Sequence, residues 1–323
     1  MCEERTLANL PVVVGLGEIL WDLLPAGKHL GGAPANFAYI AGLLGASGVV
    51  VSRVGGDELG AASQQMLRRT LIDVSTLQVD PELPTGTTEV SVSDEGVASY
   101  RIVEGVAWDH LTWTPELCTL AARADAVCFG TLAQRSEESR KTILRFLDET
   151  RPDCLRVFDA NLRAPFYGRD VMIDSLQRAT VVKLNHEEVG YALECSSLRA
   201  TNDVEAADAL KNRWGAKAVC ITRGPRGSVI ATANGTAAHA GIPVRVVDTI
   251  GAGDAFTAAM TMQMLAGASL ERVSEAANGI ASWIVSRPGA MPAVSAEEMC
   301  RLRSAFGIAV ERERNDSPST MSR

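Results

Sequence analysis

The sequence predicts an α/β protein: a mostly parallel central sheet with helices on both faces, three layers in all, and a small β lid. Three observations carry this reading. Short apolar strands at Ala126–Phe129, Leu155–Asp159, Thr180–Leu184 and Lys217–Thr222 alternate with helical stretches, which is the pattern of parallel strands joined by crossover helices. Pro11–Ile19 is apolar with little period-two alternation, as in a central strand covered on both sides. Between Thr87 and Val103 the pattern changes to an alternating hairpin around Asp94-Glu95-Gly96, antiparallel in a chain otherwise of β/α type.

In chain order, the strand Pro11–Ile19 runs into Glu18-Ile19-Leu20-Trp21-Asp22, so Asp22 is expected near its C-terminal end. Leu30-Gly31-Gly32-Ala33-Pro34-Ala35-Asn36 leads into a helix from about Asn36 to Leu44, where Asn36 is either an N-cap or a ligand to a polar molecule. A strand at Val49–Arg53, a turn at Gly55-Gly56-Asp57 and a helix at Glu58–Thr70 follow, the last with Leu59, Ala62, Met66 and Leu67 toward the core. The strands near 28–34 and 86–110 then form either a small sheet over the main one, closing a cleft as a lid, or a plain edge hairpin. Helices are read at Pro115–Ala122, Ser136–Glu149, Val171–Arg178, His186–Leu193 and Val204–Trp214. An edge hairpin pairs Ser228–Thr232 with Thr236–Ala240 across Asn234-Gly235. Val244, Val246 and Val247 read as the end of a strand, and helices follow at Ala255–Ala266, Leu270–Val285 and Ser295–Phe306.

A chain of 323 residues fits one large domain or two smaller ones. No internal repeat or low-complexity linker divides it. Residues 1–310 are read as one domain and the charged stretch 311–323 as a flexible tail. A formal charge of −8 argues against a nucleic-acid backbone or an anionic membrane as the main partner, and no apolar run reaches spanning length. The acidic start Met-Cys-Glu-Glu-Arg is unlike a signal or transit peptide, so a cytoplasmic location is expected. Seven scattered cysteines without a Cys-x-x-Cys pair read as free thiols in a reducing compartment. The four histidines lack metal-ligand spacing.

The chemistry centres on Asp248-Thr249-Ile250-Gly251-Ala252-Gly253-Asp254-Ala255-Phe256-Thr257. Its glycines fall where a helix begins, and the unpaired amides and dipole of a helix N-terminus favour an anion. The stretch therefore suits a phosphate or a transferring phosphoryl group. A carboxylate there repels the anion unless it is placed to accept a proton from whatever attacks phosphorus, and that is the role Asp254 invites. Simple turn chemistry with an acidic first-turn residue is the other reading. The dinucleotide fingerprint lacks its third glycine, Gly15-Leu16-Gly17-Glu18-Ile19-Leu20 fails the same test, and no Walker-type loop occurs. What favours a site is repetition. Asp22, Asp159, Asn161, Asn185, Glu188, the Thr222–Gly227 turn and the Asp248–Asp254 stretch all follow strands, where open α/β sheets collect ligands.

Gly31-Gly32-Ala33-Pro34-Ala35-Asn36 and Asp248–Phe256 together resemble the two signatures of ribokinase-like carbohydrate kinases, the phosphofructokinase-B family. The resemblance runs from about residue 11 to about 305, with intermediate motifs in order. With Phe158-Asp159-Ala160-Asn161-Leu162-Arg163, it looks most like fructokinases and related hexose or keto-acid sugar kinases. It implies ATP-dependent phosphorylation of a monosaccharide, D-fructose to fructose 6-phosphate before other acceptors. Those are 2-keto-3-deoxygluconate, a nucleoside, or ribose, which Ala33 disfavours because ribokinases carry lysine there. A sensor that binds sugar or nucleotide without catalysis is the rival from another class.

The resemblance also implies residue roles. Asp254 would be the base, with the amides of Gly251, Ala252 and Gly253 stabilising the phosphoryl group. Asp22, Gly31, Gly32 and Asn36 would hold the sugar, and Arg163 would touch substrate or phosphate. Asn185, Thr222, Gly224, Gly227 and Asn278 would line the nucleotide. Asn185 and Glu188 would position Mg²⁺ largely through water. Asp248 and the carbonyls of Ile250, Arg287 and Gly289 would hold K⁺ or another monovalent cation. Pairing of two lids would make a homodimer.

Overall fold

The computed structural model describes residues 10–24, 27–92 and 98–307. The turn read at Asp94-Glu95-Gly96 and the tail 311–323 lie outside these residues. Among the described residues nine strands form the main sheet. They are β1 (Val12–Leu16), β4 (Ser47–Val51), β6 (Ile72–Asp73), β10 (Ala126–Phe129), β11 (Leu155–Asp159), β12 (Val181–Asn185), β13 (Ala218–Thr222), β14 (Ser228–Thr232) and β15 (Gly235–His239). Their order is β15-β14-β13-β12-β11-β10-β1-β4-β6. All neighbours are parallel except β13–β14 and β14–β15, the predicted edge hairpin. Strand order reverses between β1 and β10, the switch point where a crevice opens at the strands' C-terminal ends.

Alternate strand residues feed two cores, one on each face. Val14, Val127, Phe158 and Val182 pack with residues of α3 (Pro115–Arg123), α4 (Glu137–Asp148), α5 (Arg169–Arg178), α6 (Val189–Ser196) and α7 (Asp203–Trp214). Val13, Val50, Val157 and Val181 pack with α1 (Ala33–Leu43), α8 (Ala252–Leu265) and α9 (Leu270–Val285), where Leu67 of α2 (Glu58–Arg68) and Leu302 of α10 (Ala296–Phe306) join them. This is the predicted three-layer arrangement. Helix α1 is buried from Pro34 through Leu43, so its sequence is apolar all round rather than striped. No helix among the described residues is long and apolar enough to cross a membrane.

A second sheet of four strands, in order β3-β2-β8-β9, stands apart from the first. It joins β2 (Leu20–Leu24), β3 (Gly27–Gly31), β8 (Gly86–Val92) and β9 (Ala98–Ile102). The predicted hairpin is there as the antiparallel pair β8–β9, while residues 107–110 form a 3₁₀ turn instead of strand. Two short strands, β5 (Arg53–Gly55) and β7 (Gln78–Asp80), pair separately.

Several expectations are corrected. The apolar run from Pro11 spans two strands in different sheets, broken at Gly17, whose φ is 150°, so Asp22 lies on β2 and not at the end of the central strand. Helix α1 starts at Ala33, which puts Asn36 inside its first turn rather than at its cap. Val244–Val247 is not a strand: the amides of Val247 and Asp248 bond to the Val285 carbonyl at the end of α9. Met66 is 43 % exposed rather than in the core.

Candidate active site

Two helix N-termini meet over the switch point. Helix α8 is capped by Gly251 at φ 77°, a left-handed conformation that a side chain would strain. A Cβ there would also lie 2.4 Å from that of Ala290, so only glycine lets the loop at 286–290 approach so closely. The opening amides of α8 have no acceptor within the helix, the arrangement that suits an anion, although that of Ala252 donates to the Thr249 carbonyl at 3.3 Å. Asp254 sits in that first turn. Its carboxylate Oδ2 accepts from Asn36 Nδ2 of α1 at 2.7 Å. Asn36 is 5 % exposed, and its Oδ1 is buried without a hydrogen-bond partner, leaving an acceptor for a hydroxyl.

From Asn36 the residues expected to hold a sugar connect in sequence. The Asn36 amide bonds to the Gly32 carbonyl. A Cβ on Gly31 would lie 3.0 Å from Asp22 Oδ2. On β2, Asp22 is opposite His29 of β3 and Thr88 of β8. Burial pushes its carboxyl up, while the Thr88 hydroxyl and the charges of His29 and Arg163 work the other way. Arg163 is exposed, and its charge favours the ionised forms of Asp22, Asp254 and Glu18 alike. The predicted residues Asp22, Gly31, Gly32, Asn36, Arg163 and Asp254 are thus brought together.

Asp254 is enclosed enough that its pKa is raised to about 6. Burial is the main cause and the charge of Asp159 the next; the Asn36 hydrogen bond, Lys183 and Arg163 oppose them. Behind α8 lies an ion pair that the sequence reading missed. Lys183 Nζ bonds Asp159 Oδ1 at 2.9 Å, both side chains being 7 % exposed, and Asp159 Oδ2 accepts from Thr257 of α8 at 2.8 Å. A Cβ on Gly253 would lie 3.2 Å from that ammonium, so the Lys183–Asp159 pair stands directly behind the helix opening. The missed signal was a lysine inside the apolar run Val181-Val182-Lys183-Leu184, since a charge there needs a buried partner.

Of the residues expected to line a nucleotide, Asn185 and Thr222 are opposite each other at the ends of β12 and β13. Gly224 and Gly227 bracket a 3₁₀ turn before β14, and Gly227 is pressed against the His239 carbonyl. Asn278 is buried on α9, with its amide donating to Ser228 Oγ and the Ser274 carbonyl. Val246, Val247 and Ile250, ahead of α8, are each more than half exposed.

Asn185 Oδ1 accepts the amides of Glu187 and Glu188, and the two Glu188 oxygens accept those of Leu162 and Asn185. No cluster of three or more His, Cys, Asp or Glu that could hold a metal occurs among the described residues. That donor set fits Mg²⁺ bound through its waters and the nucleotide's phosphates, not caged by protein. Asp248 bonds the amides of Ile250 and Gly289, tying the glycine turn to the 286–290 loop. Arg287 turns its side chain to Glu298 and the Trp283 carbonyl, so only its carbonyl is left for a cation.

Residues 26–297 match the model of the pfkB family carbohydrate kinases. A fructokinase of Escherichia coli is 30 % identical over 297 residues, covering 86 % of this chain and 94 % of its own. Among solved structures, an uncharacterized sugar kinase of Pyrococcus horikoshii in complex with ATP superposes with a TM-score of 0.75 at 26 % identity, covering 92 % of this chain and 99 % of its own. A fructokinase of Vibrio cholerae O395, bound to fructose, ADP and calcium, shares the fold with a TM-score of 0.73 at 21 % identity, covering 92 % and 99 %.

Proposed function

Because this chain belongs to the pfkB family of carbohydrate kinases, we propose that it transfers the γ-phosphoryl group of ATP to a primary hydroxyl of a monosaccharide, D-fructose giving fructose 6-phosphate. The observation that carries the proposal is the contact between Asn36 and Asp254. It holds a carboxylate at the amide-lined start of α8 and at the edge of the sugar-side residues at once.

In this reading Asp22, Gly31, Gly32 and Asn36 hold the sugar's hydroxyls, Asn36 through its unpartnered Oδ1. Asp254 accepts the proton of the attacking hydroxyl, a role within hydrogen-bond reach of a sugar held by Asn36. The amides of Gly251, Ala252 and Gly253 stabilise charge on the phosphoryl oxygens. Asn185, Thr222, Gly224 and Gly227 line the nucleotide's phosphates and ribose, Asn278 stands near the adenosine, and the exposed Val246, Val247 and Ile250 give a flat base an apolar face. Mg²⁺, held beside Asn185 and Glu188 through water, neutralises charge on the phosphates when bound. Asp248 and the carbonyls of Ile250, Arg287 and Gly289 would hold a monovalent cation, whose charge would steady the turn before α8. The small sheet covers the cleft and keeps water from competing as acceptor.

Arg163 favours a second reading. An exposed guanidinium beside the sugar residues suits an acceptor carrying a carboxylate, such as 2-keto-3-deoxygluconate. A coupled ADP-release assay over neutral ketohexoses, aldopentoses, nucleosides and keto-acid sugars separates the two. The highest kcat/KM is expected on D-fructose, and a clear preference for a keto-acid sugar would move the assignment to the second reading.

A further inference from the structure

At the switch point between β1 and β10 lies a cavity lined by Glu18, Cys128, Thr131, Asp159, Asn161 and Asp254, among others. Its interior is about 20 Å³, room for one water. Glu18 is 5 % exposed and belongs to the linker between β1 and β2. A Cβ on Gly32 would lie 2.5 Å from the Glu18 carbonyl, so this linker is clamped against the start of α1. The Glu18 carboxyl faces the amide of Ala33 and the charges of Asp254 and Arg163. Asp159, Lys183 and Cys128 complete the titratable groups around the cavity, with Asp159 and Lys183 already bonded to each other. No step described above uses Glu18. A carboxyl so enclosed, with no cation bonded to it, holds a proton more readily than one in water.

We propose that Glu18 is the second station of the reaction's proton: a water in this cavity carries to Glu18 the proton that Asp254 takes from the acceptor hydroxyl. The proposal rests on Asp254 being the base. In the first step the sugar O–H bond breaks and an Asp254 Oδ–H bond forms. The sugar oxygen's electron pair makes the new bond to the γ-phosphorus, and the bond from that phosphorus to its bridging oxygen breaks, its pair leaving on ADP. In the second step the Asp254 Oδ–H bond breaks, the water accepts that proton and gives up another to a Glu18 oxygen. Glu18 releases it to solvent when products leave, and Asp254 is again a base. Burial, the largest cause, raises the Glu18 carboxyl to about 7, so it takes up a proton more readily than a carboxyl in water. The pair titrates jointly, so the two apparent values belong to both residues. Glu18 acts through Asp254 and does not touch the sugar.

The test is the pH profile of kcat for wild type, Glu18→Gln and Glu18→Asp, with KM for sugar and ATP measured alongside. On the acid side wild-type log kcat is expected to fall with a slope approaching two. Glu18→Gln is expected to fall with a slope of one and, at pH 8, to lose about tenfold in kcat with both KM values within about twofold. Glu18→Asp recovers part of the loss. An unchanged profile in Glu18→Gln overturns the relay, as does a large rise in sugar KM at constant kcat, which would make Glu18 a sugar ligand. Should Glu18→Gln fail to fold, the wild-type slope decides alone: a slope of one overturns the proposal. Turnover surviving in Asp254→Asn would instead remove the base itself, so the two failures are distinguishable.

Discussion

Asn36 Nδ2 donates to Asp254 Oδ2 at 2.7 Å although 218 positions separate the two residues. Each sits in the first turn of its helix, and those helices pack side by side on one face of the sheet. The bond therefore fixes where the first turn of α1 meets the first turn of α8, and it orients the carboxylate proposed as the base. It also favours the ionised carboxylate, against burial and the charge of Asp159.

Removing that bond has a signed consequence. Asp254 is raised to about 6, and only its ionised form accepts a proton, so activity is expected to fall as pH drops through that region. Asn36→Ala deletes a group that lowers this pKa. The acid limb should move to higher pH, kcat at pH 7 should fall by roughly 10- to 100-fold, and sugar KM should rise. A pH–rate profile identical to wild type would contradict the role of Asn36.

Gly251→Ala places a methyl group in a left-handed position and 2.4 Å from the Ala290 Cβ. The amides at the start of α8 must shift to relieve it. A loss of about 100-fold in kcat is expected, in the range seen when one oxyanion donor is removed, with the far-ultraviolet circular dichroism of the folded protein retained. Steady-state kinetics with ATP varied checks this.

Lys183→Met leaves Asp159 as an uncompensated buried charge, a change that costs about 3–5 kcal/mol. Urea unfolding at pH 7.5 should report it. Adding Asp159→Asn to Lys183→Met should recover part of the loss, because the unpaired charge is then gone. Equal stability of the single variant and wild type would mean that the pair is solvated in solution.

Glu18 also links stability to pH. Its folded pKa is raised from 4.5 to about 7, so its contribution is complete below pH 4.5 and is lost as pH rises through 7. Glu18→Gln mimics the protonated form at every pH. At pH 8 it should be more stable than wild type, on the order of 3 kcal/mol, and the difference should vanish toward pH 4.5. Denaturant titrations at pH 4.5, 6 and 8 measure this directly.

The layered architecture was legible because strands such as Leu155–Asp159 are short, apolar and separated by helical stretches, and both faces of the sheet need cover. The place of Asp254 in the first turn of a helix was legible from the glycines before it, and its use as a base is the proposal made above. Asp22 was assigned to the wrong sheet since Val12–Leu16 and Leu20–Leu24 form one apolar run, and only the backbone at Gly17 divides them. Val244, Val246 and Val247 read as a strand from their side chains, but the amides of Val247 and Asp248 bond to the Val285 carbonyl at the end of α9 instead of to a strand. Glu18 gave no signal of its own. Its meaning comes from the cavity it shares with Asp254, a property of packing between distant segments.

The most direct measurement is turnover by Asp254→Asn, with D-fructose and ATP, beside a titration of ATP binding to the same variant. A fall in kcat of at least about 1000-fold with ATP affinity within a few-fold of wild type is the expected result. Near wild-type turnover by a folded, ATP-binding Asp254→Asn would contradict the assignment of Asp254 as the base.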